Sequence, residues 1–291
     1  LYNEDQSITA VFNGEIFNFQ ALRDDLMAKG HQFRTDGDGE TIVHLYEEYG
    51  TDFPQYLRGQ FAIALWDSTQ QQLLLVRDRY GQKPLYYYHA GDTIVFASEI
   101  KAILKHPAVP CESAFDTPTM LAKYLSYGYI PAPDTAFRGI QALMPAQILI
   151  YRQNTIHTEN YWQIPHITDE ILSTDTISHY VDLTREALQE AIQLRLIADV
   201  PLGAFLSGGL DSSLIVAMMQ TMTQHQVKTF SIGFAGDDSF DESPYAQEVA
   251  DYLGTAHTAF RVDPHALDLL EKLIWHHDQP FADSSAIPTF L

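Results

Sequence analysis

The chain of 291 residues holds a single cysteine, Cys111. That scarcity rules out an internal disulfide framework and any thiolate-rich zinc site, and it agrees with a reducing compartment, so the cytoplasm is the expected location. Basic residues are scarce too. Seventeen Lys and Arg stand against thirty-eight Asp and Glu, a formal charge of −21, and such a surface repels a phosphate backbone instead of releasing its counterions. Nucleic acid is not an expected partner. No apolar run approaches a membrane span and no basic-then-apolar leader opens the chain, so no membrane partner is expected either. The chain begins at Leu1 without a methionine and stops inside the apolar "AIPTFL". It reads as an internal excerpt of a longer protein.

What is present is enough apolar residue, 46% of the chain, to fill two cores. "SITAVFN" alternates as a strand, and helices ending at Gly30 and Gly50 follow it. "QFAIALWDS", "QLLLVRD" and "PLYYYHAGDTIVFAS" then switch to period two, with "AGDT" as a hairpin turn. Residues 1–108 therefore predict a sheet flanked by helices. The polar, proline-bearing stretch at 109–118 has linker composition, and a second domain is expected over 119–291. Within it "PLGAFL", "SSLIVAMMQTM", "VKTFSIGF", "SPYAQEVADYLG" and "HTAFRV" alternate strand and helix. That order predicts a parallel sheet with crossover helices.

"SGGLDSS", residues 207–213, joins one of those strands to a helix. A tight glycine turn entering a helix aims several backbone N–H groups and the positive end of the helix dipole at one spot, which suits an anion. Gly208 and Gly209 permit close approach, and Ser207, Ser212 and Ser213 add hydroxyl donors. No lysine follows the glycines, so this is neither a GxxxxGK[ST] loop nor a GxGxxG fingerprint. Asp211 inside an anion site needs a divalent cation to bridge it to phosphate, which makes it a candidate Mg²⁺ residue. A plain helix cap at Asp211 and Ser212 is the alternative.

The motif resembles the pyrophosphate-binding loop of the PP-loop ATP pyrophosphatases, ligases that adenylate a substrate and release pyrophosphate. With "LRLIADVPLGAFLSGGLDSS", "VKTFSIGF", "DESPYAQEVADYLGTAHT" and "DQPFADSSAIPTFL", the second half is similar to the synthetase domain of glutamine-hydrolysing asparagine synthetase. The resemblance places adenine against Leu206 and Ile232, and Asp278, Asp283 and Ser284 in the region of an aspartyl substrate. Apolar strand residues are ordinarily core, and acidic or serine runs ordinarily decorate loops.

In the first half "VFNGEIFN" ends a strand with Asn and Gly, a placement that can serve either as a turn or as donors to an oxyanion. Together with "DGDGETIVHLY", "LRGQFAIALWD", "RDRYGQKPLYYY" and "FASEIKAIL" it resembles the class II glutamine amidotransferase domain, an N-terminal-nucleophile hydrolase. The resemblance implies that Asn13 and Gly14 form the oxyanion hole and that Asn13, Glu15 and Asp38 bind glutamine. From the residues alone, the preferred readings are Asp38 as a helix N-cap and Glu15 as a solvated strand end. Arg77, Asp78, Arg79 and Lys83 read as a structural ion-pair loop. The family's nucleophile is a cysteine at the mature N-terminus, a role that neither Leu1 nor Cys111 can fill. Twelve histidines show no metal-ligand spacing.

The fold implied is an αββα sandwich, here partial, followed by a doubly wound parallel-sheet domain. The function implied for the full-length parent is asparagine synthesis. Glutamine is hydrolysed to ammonia, ATP with Mg²⁺ activates aspartate as β-aspartyl-AMP with release of pyrophosphate, and ammonia displaces AMP. The expected partners are glutamine, aspartate and ATP, with a homodimer one option for assembly. The excerpt alone is expected to be inactive. A related amidotransferase with another carboxylate acceptor, and a non-catalytic glutamine- or nucleotide-binding module, are the alternatives.

Overall fold

The computed structural model describes residues 1–165, 176–234, 241–262, 269–283 and 285–290. They form a mixed α/β protein of two compact units, the first made of residues 1–165 and 274–283, the second of residues 166–273 and 284–291.

The first unit is built in four layers. Strands β1 (Ile8–Ile16), β2 (Gly59–Asp67), β3 (Gln72–Arg77), β7 (Gln147–Arg152) and β8 (Thr155–Asn160) form one antiparallel sheet in the order β1-β2-β3-β7-β8. Strands β4 (Tyr86–Ala90), β5 (Thr93–Ala97) and β6 (Ile140–Ala142) form a second, in the order β5-β4-β6. Successive residues of a strand face opposite sides, and β2 uses both. Phe61, Ile63 and Leu65 pack toward helices α1 (Phe19–Lys29) and α2 (Thr41–Tyr49) through Leu26, Ile42 and Leu45. Ala62 and Ala64 face Leu85, Leu143 and the partly buried Tyr87, Ile94 and Phe96 of the other sheet. The second sheet turns Tyr88 and Ile140 toward Ile100 and Ile103 of helix α3 (Ile100–Ile103). Helix, sheet, sheet, helix is thus the observed order.

The boundary expected at 109–118 is not where the chain divides. Helix α4 (Pro118–Tyr127), β6, β7 and β8 all belong to the first unit, because β7 completes the hydrogen bonding of β3 from Val76↔Ile148 to Gln72↔Arg152. A linker composition at 109–118 marks a surface crossing within one domain. The β7–β8 hairpin turns through Gln153 and Asn154 at φ 50° and 61°, the two-residue left-handed turn that suits the twist of a hairpin. Residues 274–283 also return to this unit, where Ala282 N–H donates to Gly128 O at 2.8 Å.

In the second unit β9 (Gly203–Phe205), β10 (Lys228–Phe234) and β11 (Ala256–Val262) are parallel, in the order β11-β10-β9. Helices α6 (Leu210–Met222) and α7 (Ser243–Leu253) make the two crossovers. Leu206, Val216, Ala246 and Ala250 form the core beneath them. Helix α5 (Ile177–Arg195) precedes the sheet and packs on α6, while α8 (Leu270–His277) and α9 (Ala286–Phe290) follow it. The strand order among the described residues is sequential, so the reversal that defines a doubly wound sheet is not among them.

Candidate functional site

At the far end of β1 the first two strands approach too closely for side chains. A Cβ on Gly14 would stand 2.0 Å from Gln60 O, and one on Gly59 would stand 2.2 Å from Glu15 O. This crossing presents Asn13, whose Nδ2 donates to Ser98 Oγ at 3.2 Å. An amide nitrogen carries two hydrogens, so a second donor remains. Asn13 and Ser98 line a cavity of about 220 Å³ with Phe12, Ala62, Leu85 and Phe96.

Asp38 does not cap α2. The N-cap residue is Glu40, with no side-chain cap bond. Asp38 Oδ2 instead accepts from Ile16 N–H at 2.7 Å, the amide that follows Glu15. Asp38 is thereby anchored one residue beyond Glu15 at the end of β1, the Glu15 side chain in solvent and that of Asp38 half-buried. Such a pair suits an ammonium group.

The loop after β3 is held by charge, though not by an ion pair as expected. Asp78 is fully buried, and its carboxylate accepts from four amides, Phe61, Tyr80, Gln82 and Lys83, at 3.0–3.2 Å. The Arg77 guanidinium donates to Lys83 O, Leu143 O and Gly81 O at 2.6–2.8 Å. Burial pulls that guanidinium below its usual range, opposed by the charges of Tyr86 and Asp78.

In the second unit the segment 207–213 follows β9 as a glycine turn and the start of a helix. Helix α6 opens one residue after Gly209, which caps it without any side-chain bond. Asp211 thus lies within the first turn, exposed, so the plain capping alternative does not hold. Gly208 sits at φ +81°, and a Cβ there would lie 2.6 Å from the Tyr245 carbonyl carbon. Only glycine meets both conditions without strain. Ser207 Oγ accepts from Gly209 N–H at 3.2 Å and shares a 2.9 Å bond with Ser212 Oγ, while the Ser213 hydroxyl is buried without a hydrogen-bond partner. Beside the loop Leu206, Ser207 and Ile232 line one cavity of about 220 Å³, together with Phe205, Phe230, Ser231, Glu242 and Thr289.

Residues 1–162, more than half of the chain, match the glutamine amidotransferase domain family. The chain belongs to that family. Residues 183–291 of the amidotransferase match the asparagine synthase family. It is 34% identical to asparagine synthetase [glutamine-hydrolyzing] 1 of Bacillus subtilis, over 99% of this chain and 44% of that protein. It is 33% identical to putative asparagine synthetase [glutamine-hydrolyzing] 2 of Methanocaldococcus jannaschii, over 100% and 56%, and 33% identical to amidase chyE of Penicillium rubens, over 97% and 43%. The amidotransferase chain spans about half the length of these relatives.

The structure thus groups Asn13 and Gly14 with Glu15 and Asp38 at one end of β1, and Leu206 and Ile232 with the serine loop. It does not group every expected residue. Asp278 belongs to the first unit, where it pairs with Lys101 at 3.0 Å, whereas the loop at 207–213 belongs to the second. Asp283 is exposed, and Ser284 lies outside the described residues. Cys111 is exposed and lines neither of these two cavities. The Leu1 ammonium donates to Ala10 O at 2.9 Å and its side chain packs against the first core. Ser98, Phe230 and Glu242 were not foreseen, because only chain reversal brings a distant strand or helix start beside each motif, and Phe205, next to Leu206, reads in the sequence as an ordinary strand residue.

Proposed function

We propose that the protein carrying this chain is a glutamine-dependent asparagine synthetase. The observation that carries the reading is the presence, in one polypeptide, of an amidotransferase site at the end of β1 and a serine–glycine loop at the start of α6. The first unit then serves as an N-terminal-nucleophile hydrolase. Glu15 and Asp38 hold the α-ammonium of glutamine, and the free Asn13 N–H with the Gly14 N–H takes the oxyanion formed at the side-chain carbonyl. The reading requires a cysteine nucleophile from the full-length protein.

In the second unit ATP is the substrate. Its adenine fits the apolar side of the cavity at Leu206, Phe230 and Ile232, and the Glu242 carboxylate can accept from an amino or hydroxyl group at the rim. The unpartnered Ser213 hydroxyl fits a phosphate oxygen, and Gly208, whose Cβ would strike the Tyr245 backbone, sets the tight turn that precedes it. Asp211, exposed in the first helical turn, would hold Mg²⁺, which neutralises the charge of the polyphosphate. An oxygen of the aspartate β-carboxylate attacks the α-phosphorus and expels pyrophosphate, forming β-aspartyl-AMP, and ammonia then attacks the acyl carbon, breaking its bond to the bridging oxygen so that AMP leaves. Passing ammonia internally keeps it from protonation to unreactive ammonium.

The likeness to an amidase favours one second reading, in which the same ammonia and adenylate chemistry serves another carboxylate. One assay separates them. Full-length protein receives ATP, Mg²⁺, aspartate and amide-labelled glutamine, and label in asparagine is counted against AMP. Equal amounts are expected. Labelled ammonia without labelled asparagine would transfer the proposal to another acceptor, and no turnover of glutamine or ATP would leave a binding module.

A further inference from the structure

Two histidines and two glutamates of the first unit converge outside both candidate sites. Glu4 lies in the turn before β1, His31 follows the C-cap of α1, and His44 and Glu47 stand three residues apart on one face of α2. His44 Nδ1 is 2.9 Å from Glu47 Oε2 and 3.5 Å from Glu4 Oε2. His31 Nδ1 is 3.5 Å from the same Glu47 oxygen and 3.5 Å from Glu4 Oε1. Donors at the corners of a tetrahedron about 2.05 Å from a central ion are about 3.4 Å apart. Those separations, which involve both Glu4 oxygens, run from 2.9 to 3.5 Å around that edge, and one donor atom from each of the four residues lies within 4.8 Å of the others.

The surroundings have the form of a second shell. Each histidine turns Nδ1 inward; His31 Nε2 is within hydrogen-bond reach of an outer carboxylate, Glu48 Oε1 at 3.1 Å, whereas His44 Nε2 is 3.8 Å from Glu40 Oε1, beyond that reach. Imidazoles that bind metal characteristically give their other N–H to a carboxylate, which selects the tautomer. His44 is completely buried, and its Nε2 has no hydrogen-bond partner. The inner carboxylates are themselves oriented, Glu4 Oε1 by Gln32 N–H and Glu47 Oε1 by Asn3 Nδ2, both at 2.9 Å. Two carboxylates and two neutral imidazoles make a donor set of charge −2, which balances a divalent ion and suits zinc better than calcium or magnesium.

We infer that Glu4, His31, His44 and Glu47 form a site for a divalent transition-metal ion of the zinc class, which ties the turn before β1 to α1 and α2. Its role is structural, since all four protein donors surround one point. The spacing in sequence, 4, 31, 44 and 47, matches no metal motif because three separate segments supply it.

The test uses purified protein stripped with a chelator and titrated with zinc chloride against a chromophoric competitor. One equivalent is expected to bind. His31→Gln, at a partly exposed position, and Glu4→Gln should each weaken binding at least tenfold, while His225→Gln in the second unit should leave it unchanged. Zinc should also raise the unfolding temperature of the wild type and not that of His31→Gln. Absence of stoichiometric binding, or binding unaltered by both His31→Gln and Glu4→Gln, would overturn the inference.

Discussion

In the proposed glutaminase step Asn13 would act through a single N–H. With one hydrogen of its amide held by Ser98, the other is available to an oxyanion, and Asn13→Ala removes it without touching the core, since the side chain is exposed. Loss of one such donor costs roughly 10²–10³-fold in rate. Glutaminase turnover of the full-length protein should fall by that factor, while asparagine formation from free ammonia stays near wild type. An equal loss in both assays would place Asn13 outside the glutaminase step. Gly208→Ala tests the other site. A methyl at φ +81° and 2.6 Å from the Tyr245 backbone must displace the start of α7. Left-handed strain alone is about 1–3 kcal/mol, so a lower urea midpoint and a loss of nucleotide binding are both expected. Ser213 is a milder probe, because its hydroxyl has no intramolecular partner to lose.

At the scale of elements, the glycine turn at 78–83 depends on one carboxylate. Asp78 gathers amides from β2 and from the turn itself, and its removal leaves four donors without an acceptor. Each unsatisfied buried donor is costly, so Asp78→Ala should destabilise the protein by roughly 3–5 kcal/mol, read from chemical unfolding. Asp78→Asn, which keeps an acceptor, should cost less. The letters "RDRYGQKP" announced a turn with charges in it, and that much was legible. What they could not announce was the partner of each charge, because Asp78 and Arg77 spend their bonds on backbone groups of Phe61 and Leu143, brought near by sheet pairing.

For the molecule as a whole, acid should erode the first unit through Asp67, which links β2 to α2. Its burial would raise its pKa, but hydrogen bonds from the Gln70 amide, the Tyr46 hydroxyl and the Thr69 amide outweigh that and hold the carboxyl below its usual range. Burial and the Asp67 charge push the Tyr46 hydroxyl up to about 12. A carboxylate with a lowered folded-state pKa stabilises above its unfolded value, about 3.9, and that contribution is lost as pH falls through the folded value. The stability difference between wild type and Asp67→Asn should therefore be constant near neutrality and shrink below about pH 4. Urea midpoints over that range measure it, and a difference independent of pH would exclude the mechanism.

Periodicity and turn residues determined most strands and helices, since alternation and helical spacing are local properties of the chain. The same holds for the two site motifs, "NGE" and "SGGLDSS", whose chemistry is carried by adjacent residues. The domain boundary was decided only by tertiary structure. A polar stretch at 109–118 is compatible with a linker or a surface crossing, and the pairing of β7 with β3, separated by seventy residues of sequence, selects the second. Tertiary structure also decided that Asp38 binds the end of β1 instead of capping α2, and that His31 and His44 share two carboxylates. Such contacts arise where a folded chain brings remote segments within hydrogen-bond reach, and no spacing along the sequence records that.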